Sequence, residues 1–109
     1  MENEFDHERL DVYRLAVEVA RWFGATPFPR GRGELHRQGQ DAADSVVLNI
    51  AEGAGRWRAR AAGKNHHQIA LGSAAEACAV LDLVPAVPGV PDTQQKLRRI
   101  GAMLAKMSR

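Results

Sequence analysis

Two stretches decide the fold: SVVLNIAEGAGRWRAR, residues 45–60, and IALGSAAEACAVL, residues 69–81. In the first, Val46, Asn49 and Gly53 recur at helical spacing, with Val47 and Ile50 beside them on the same side. The second is built from small residues, Ala70, Gly72, Ser73, Ala74, Ala75, Ala77, Cys78 and Ala79, which let neighbouring helix axes approach closely. Both read as helices. No extended alternation of β-branched residues offers a competing strand.

Working outward, the second helix is expected over about Glu34–Gly53, with Leu35 and Ala42 joining its apolar side. Gly39 inside it costs about 1 kcal/mol relative to alanine, so its first half is expected to be weak. The third helix is expected from Arg60 to Val84, where Pro85, Pro88, Gly89 and Pro91 break the chain. Before them, Leu10, Tyr13, Val17 and Ala20, widened by Val12, Ala16, Val19 and Phe23, predict a first helix over Arg9–Phe23. Gly24, Pro27 and Pro29 stop it, leaving residues 24–33 as a loop. A fourth helix is expected from Asp92, as N-cap, to Met107, with Leu97, Ile100, Met103, Leu104 and Met107 on its apolar face. The expectation is one all-α domain over residues 1–109, folded as an antiparallel helical bundle.

Composition narrows the function. At 109 residues, 45% hydrophobic and 26% charged, the chain suits one ordinary folded domain, with little room for a cofactor fold beside a substrate domain. No apolar run reaches the ~20 residues of a membrane span. The N-terminus, MENEFDHERLDVY, is acidic and polar, so a secretory signal is not expected and the cytoplasm is. The single cysteine, Cys78, excludes an internal disulfide framework and a four-cysteine zinc site. Net charge is only +2, but it is unevenly spread. Six acids crowd residues 1–18, whereas residues 53–75 carry Arg56, Arg58, Arg60 and Lys64 with no acid, and residues 93–109 carry Lys96, Arg98, Arg99, Lys106 and Arg109 with none. Such clusters attract polyanions, or equally the acidic segment of a neighbouring subunit.

Asn49, Glu52, Gly53 and Arg56 stand at i, i+3, i+4 and i+7, hence on one helix face, and Ser73 and Glu76 repeat the i, i+3 relation on the third helix. Polar groups in so apolar a segment need partners. They form either a polar site between the second and third helices or a hydrogen-bonded network that fixes helix register. Glu52 and Glu76, if they face each other, could do acid–base work or share a metal, but the Glu-x-x-His pairs of di-iron bundles are missing. His66 and His67 are adjacent and point apart, while His7 and His36 stand alone. No nucleophile motif or phosphate-cradling loop is present, and Cys78 among alanines reads as a small buried hydrophobe. No catalytic residue, metal or cofactor is expected. The best binding candidate is RWRARAAGK, residues 56–64, where arginines can contact phosphates and Trp57 can stack on a base or pack on the bundle end.

With these motifs in hand, the chain resembles the bacterial four helix bundle proteins, the 23S rRNA-intervening sequence protein family, which is related to the accessory protein of diversity-generating retroelements. LDVYRLA (10–16), FP (28–29), NIAEGAGR (49–56) and IALGSAAEACAVLDL (69–83) carry the resemblance, in order, from about Leu10 to Leu104. It implies an up-and-down four-helix bundle assembled as a homopentameric barrel, without enzymatic activity. For the retroelement member it implies binding of nucleic acid and of a reverse transcriptase through a basic exterior. Asn49, Glu52, Gly53, Arg56, Gly72, Ser73 and Glu76 match signature positions, read as structural. The chain departs from the family's leucine–arginine-rich pattern at Gly39, Gln40, Asp41 and Asp44, which removes positive charge from the second helix, and in the proline-rich connection PAVPGVPDT (85–93), after which the fourth helix is expected to be short.

Two functions follow. The first is a homo-oligomeric, non-catalytic accessory protein binding RNA or DNA, with Arg56, Trp57, Arg58, Arg60, Lys64, Lys96, Arg98 and Arg99 as candidate contacts. The second is an oligomeric scaffold that binds a protein partner, in which Arg56, Arg58 and Arg60 bridge to acids across subunits. Neither involves a membrane.

Overall fold

The apolar stripes become four α-helices: α1 (Asp11–Ala25), α2 (Gly33–Gly55), α3 (Arg60–Asp82) and α4 (Val90–Met107), preceded by a short 3-10 turn at Asp6–Arg9. The computed structural model describes residues 4–55 and 60–108, and no strand occurs among them. α2 and α3 share the largest interface; α1 packs on α2 and α4, and α4 packs on α3 and α1. Val12, Val19 and Phe23 from α1, Val46 and Ile50 from α2, Ala77 and Leu81 from α3, and Ile100 and Leu104 from α4 fill the space between them. No helix among the described residues is long and apolar enough to cross a membrane.

Several boundaries differ from those expected. α1 continues through Gly24 to Ala25, because Pro27 forces only its predecessor, Thr26, into extended conformation. The free carbonyls at its end are met by α2: His36 Nε2 donates to the Phe23 carbonyl at 2.7 Å and Gln40 Nε2 to the Ala20 carbonyl at 3.1 Å. His36 therefore does not stand alone. It ties two helices together.

α3 stops at Asp82, short of Val84, and α4 begins at Val90 rather than at Asp92. Gly89 is the N-cap, with φ +91°, and its carbonyl accepts from the Thr93 amide at 2.9 Å. Pro91 fits in the first turn, where its missing amide hydrogen has no intrahelical partner to lose. Asp92 serves Lys96 instead, at 3.3 Å. α4 thus runs to 18 residues and is not the short helix expected. The proline-rich connection is ordered by its valines, since Val84, Val87 and Val90 are all buried in the core.

Gly39 has a different part from the one its propensity suggests. It is buried, and a Cβ placed on it would lie 2.5 Å from Phe23 Cε1 and 3.0 Å from Val80 Cγ1. Here α1, α2 and α3 converge, and only a hydrogen atom fits. The glycine lowers local helix propensity in exchange for a close three-helix contact.

Candidate functional site

The polar residues of α2 and α3 form one connected line. Asn49 Nδ2 donates to the Ser45 carbonyl at 2.9 Å and to Ser45 Oγ at 3.1 Å, as expected for a side chain reaching back one turn. With its amide so engaged, Asn49 presents Oδ1 to His66 Nδ1 at 2.9 Å, which makes His66 the donor. Ser45 Oγ, accepting from Asn49, can give its own proton to Ser73 Oγ, 2.8 Å away on α3. The chain of donors runs His66, Asn49, Ser45, Ser73. It crosses the α2–α3 interface twice and leaves little freedom for one helix to slide on the other.

Beside it, Gly53 makes room for His67. A Cβ there would lie 2.9 Å from His67 Cδ2 and Nε2 and 3.2 Å from the Gly63 carbonyl. Both ring nitrogens of His67 are shielded from water and have no hydrogen-bond partner among the described residues. Burial, helped by the neighbouring His66, lowers the His67 pKa, so the ring stays neutral at pH 7.

Of the signature positions, Asn49 and Ser73 are joined through Ser45, and Gly53 is a packing slot. Glu52, Gly72 and Glu76 are exposed, and Arg56 lies outside the described residues. Glu52 and Glu76 do not come together. Ser45 meets Ser73 while Asn49 meets His66, so Glu76 lies beyond the Ser45 level and Glu52 beyond the Asn49 level in the other direction. Seven or more residues of helix separate those levels, about 10 Å or more at 1.5 Å per residue. The paired-carboxylate arrangement is therefore not formed. Among the described residues no cluster of three His, Cys, Asp or Glu could hold a metal ion. Cys78 is only half-buried; burial raises its pKa, which Arg98 opposes and Asp82 reinforces, so it is not an activated thiol.

The basic candidates fall into two groups. Arg56, Trp57 and Arg58 lie outside the described residues, as does the side chain of Arg60, which opens α3; Lys64 follows one turn later, half-buried. On α4, Lys96 is held between Glu18 and Asp92, 3.3 Å from each; desolvation works to lower its pKa, but these bonds outweigh it and raise the pKa. Arg98 and Arg99 are exposed, and neither forms an ion pair in the described structure. Lys106 continues the Arg99 face two turns on, also exposed. Sequence reasoning missed Ser45, His66 and His67. The signal for Ser45 was available, since it stands four residues before Asn49. Nothing in the spacing of the two histidines indicated that one would close the Asn49 network and the other fill the Gly53 slot.

A family model described as 23S rRNA-intervening sequence protein matches residues 8–107. No curated protein and no solved structure matches the chain.

Proposed function

Because the chain belongs to the 23S rRNA-intervening sequence protein family, we propose that it is a non-catalytic, homo-oligomeric accessory protein that binds RNA or DNA through its basic surface. In this reading the four helices form an antiparallel up-and-down bundle, and copies assemble into the pentameric barrel that the resemblance implies. The observation that carries the nucleic-acid reading is the outer face of α4. Arg98, Arg99 and Lys106 project from a helix with no acid after Asp92, and among the described residues Lys96 alone of its bases is neutralised by neighbours. Leu71 on α3 lies beside Gly101 on α4, and in the antiparallel bundle proposed here Lys106 comes towards the level of Lys64. Arginine and lysine in a line of this kind match successive phosphates, and α2 and α3 supply a stiff support.

The test is fluorescence anisotropy with a structured RNA and a DNA duplex at 50 mM and 200 mM salt. Phosphate binding should weaken steeply as salt rises, because each neutralised phosphate releases a counterion. Replacing Arg99 and Lys106 by alanine should reduce the slope of log affinity against log salt by about one for each lost contact. Binding that ignores salt would end the phosphate-contact mechanism. No binding at 50 mM salt would favour the scaffold alternative, with a protein such as a reverse transcriptase as partner.

A further inference from the structure

The helices of this chain divide the charge unequally between two sides. α1 and α2 carry six acids against Arg14, Arg21 and Arg37, whereas α3 and α4 carry six bases against Glu76, Asp82 and Asp92. Because α1 and α2 pack together, as do α3 and α4, these sides lie on opposite faces of the bundle. Each side also has an outer groove. Between α1 and α2 it is lined by Val17, Ala20, Arg21, Asp44, Val47 and Leu48. Leu48 is 66% exposed there, a large apolar side chain left mostly uncovered by the described residues. Between α3 and α4 the groove has a floor of small residues, including Ala75, Ala79 and Gly101, with Leu71, Asp82 and Arg98 also lining it.

We propose that the α1–α2 groove of one copy docks on the α3–α4 groove of a second copy, both pointing the same way, with Leu48 entering beside Leu71 and Gly101, Asp44 meeting Arg98 and Arg21 meeting Asp82. This rests on the homo-oligomer reading and names the surfaces that reading needs.

The heights of these residues along the bundle carry the inference. Gln40 reaches Ala20, so Arg21 is close to the level of Gly39, which faces Val80, two residues from Asp82. Asp44 adjoins Ser45, which meets Ser73. Leu71 faces Gly101, so Arg98, three residues before Gly101, sits near that same level. Leu48, three residues past Ser45, falls near the level of Ala70, next to Leu71 and Gly101. At 1.5 Å per residue all three pairs match in height to within about 5 Å when copies lie side by side. Turning one copy end over end would set Arg21 near Arg98 and Asp44 near Asp82, like against like. Charge therefore selects the parallel arrangement.

Among the described residues none of the four forms an ion pair, although Arg21 and Asp44 share one groove and Asp82 and Arg98 the other. Asp44 accepts from the Gln40 amide and Asp82 from the Gln94 amide, while Arg21 and Arg98 form no ion pair among the described residues. A contact between opposite faces is head-to-tail, and such contacts close into rings or run on as filaments. Arg98 is then drawn from the nucleic-acid surface into the contact between copies, whereas Arg99 remains outside.

The experiment is light-scattering mass after gel filtration for the full chain and for Leu48→Asp, Asp44→Arg, Arg98→Asp and the double exchange Asp44→Arg/Arg98→Asp. Circular dichroism of each checks that helices persist, which is expected because all three positions face outward. The wild type should be an oligomer, Leu48→Asp should fall to the monomer mass, each single charge reversal should raise the dissociation midpoint about threefold or more, and the double exchange should restore it. A wild type that is monomeric removes the oligomer reading itself. An oligomer whose mass and midpoint are unmoved by Leu48→Asp and Asp44→Arg keeps that reading and overturns the proposed faces, as does a double exchange no better than the singles.

Discussion

Gly39→Ala separates two ways of reading a helix glycine. On propensity alone the substitution should stabilise α2 by about 1 kcal/mol, since alanine is the better helix former and restricts the unfolded chain. The structure argues the opposite sign. The new methyl would lie 2.5 Å from Phe23 Cε1, 3.0 Å from Val80 Cγ1 and 3.2 Å from Phe23 Cζ, about 1 Å short of the ~3.5–4 Å at which carbons pack. Phe23 cannot easily yield. It is fully buried, with Trp22 edge-on at 5.1 Å and Phe28 at 6.2 Å between ring centres. Overpacking of a closed core costs about 1–3 kcal/mol, and a shift of this size against a held ring belongs in the upper half of that range. Subtracting the propensity gain leaves a net loss of about 1–2 kcal/mol, which in a domain of this size lowers Tm by roughly 5–15 °C.

The assay is thermal and urea unfolding followed by far-ultraviolet circular dichroism at one fixed protein concentration, because stability of an assembling chain depends on concentration. Gly72→Ala is the internal control, since a Cβ at Gly72 meets nothing within 4 Å. It should gain up to about 1 kcal/mol by the same propensity term that Gly39→Ala overrides. A Gly39→Ala protein as stable as the parent, or more so, would refute the three-helix contact.

Two further outcomes follow from the α2–α3 interface. Asn49→Ala strips Ser45 of a donor at two atoms and His66 of its acceptor, so it should cost about 1–3 kcal/mol in urea unfolding; a loss below about 0.5 kcal/mol would mean water replaces the amide without penalty. His67, neutral in the folded chain because burial lowers its pKa, takes up a proton more readily when unfolded. Stability is therefore undiminished above the ordinary histidine pKa of about 6.5 and falls as pH drops below it. The non-titrating His67→Gln should show a shallower loss between pH 7.5 and 5.5, and an unchanged slope would remove His67 from the account.

How much of this was legible beforehand depended on the range of the interaction involved. Helical periodicity and proline punctuation are local, and they placed all four helices and much of the core of α1, α2 and α4, whereas Leu15, Val80, Leu81 and the connection valines Val84, Val87 and Val90 were not singled out. Helix ends depend on what meets the last carbonyls, which is why α1 outran Phe23 once His36 and Gln40 were available from α2. The start of α4 turned on Gly89 taking a positive φ, a choice among adjacent breakers that spacing does not settle. For the polar line, i, i+3 spacing correctly paired Asn49 with the α2–α3 interface. The partner depended on how far α3 slides along α2, and that register is set by side-chain contacts many residues apart. Glu52 and Glu76 shared a pattern without sharing a level.

The acids that interrupt α2 are best understood together with the bases of α4. Asp41 and Asp44 remove positive charge from one side of the bundle, which weakens any basic belt there but gives the basic side of a second copy something to meet. The two roles of α4 respond differently to salt. Exposed ion pairs such as Asp44 with Arg98 contribute only about 0–1 kcal/mol each, so a contact centred on buried Leu48 should weaken little as salt rises. Nucleic acid held by several phosphate contacts should lose a hundredfold or more between 50 mM and 200 mM salt. Mass and anisotropy read on the same samples would then part company, with the oligomer persisting as the nucleic acid leaves. If the assembly dissolved along the same salt curve as the nucleic acid, charge alone would be holding the copies together, and Leu48 would have no apolar groove to fill.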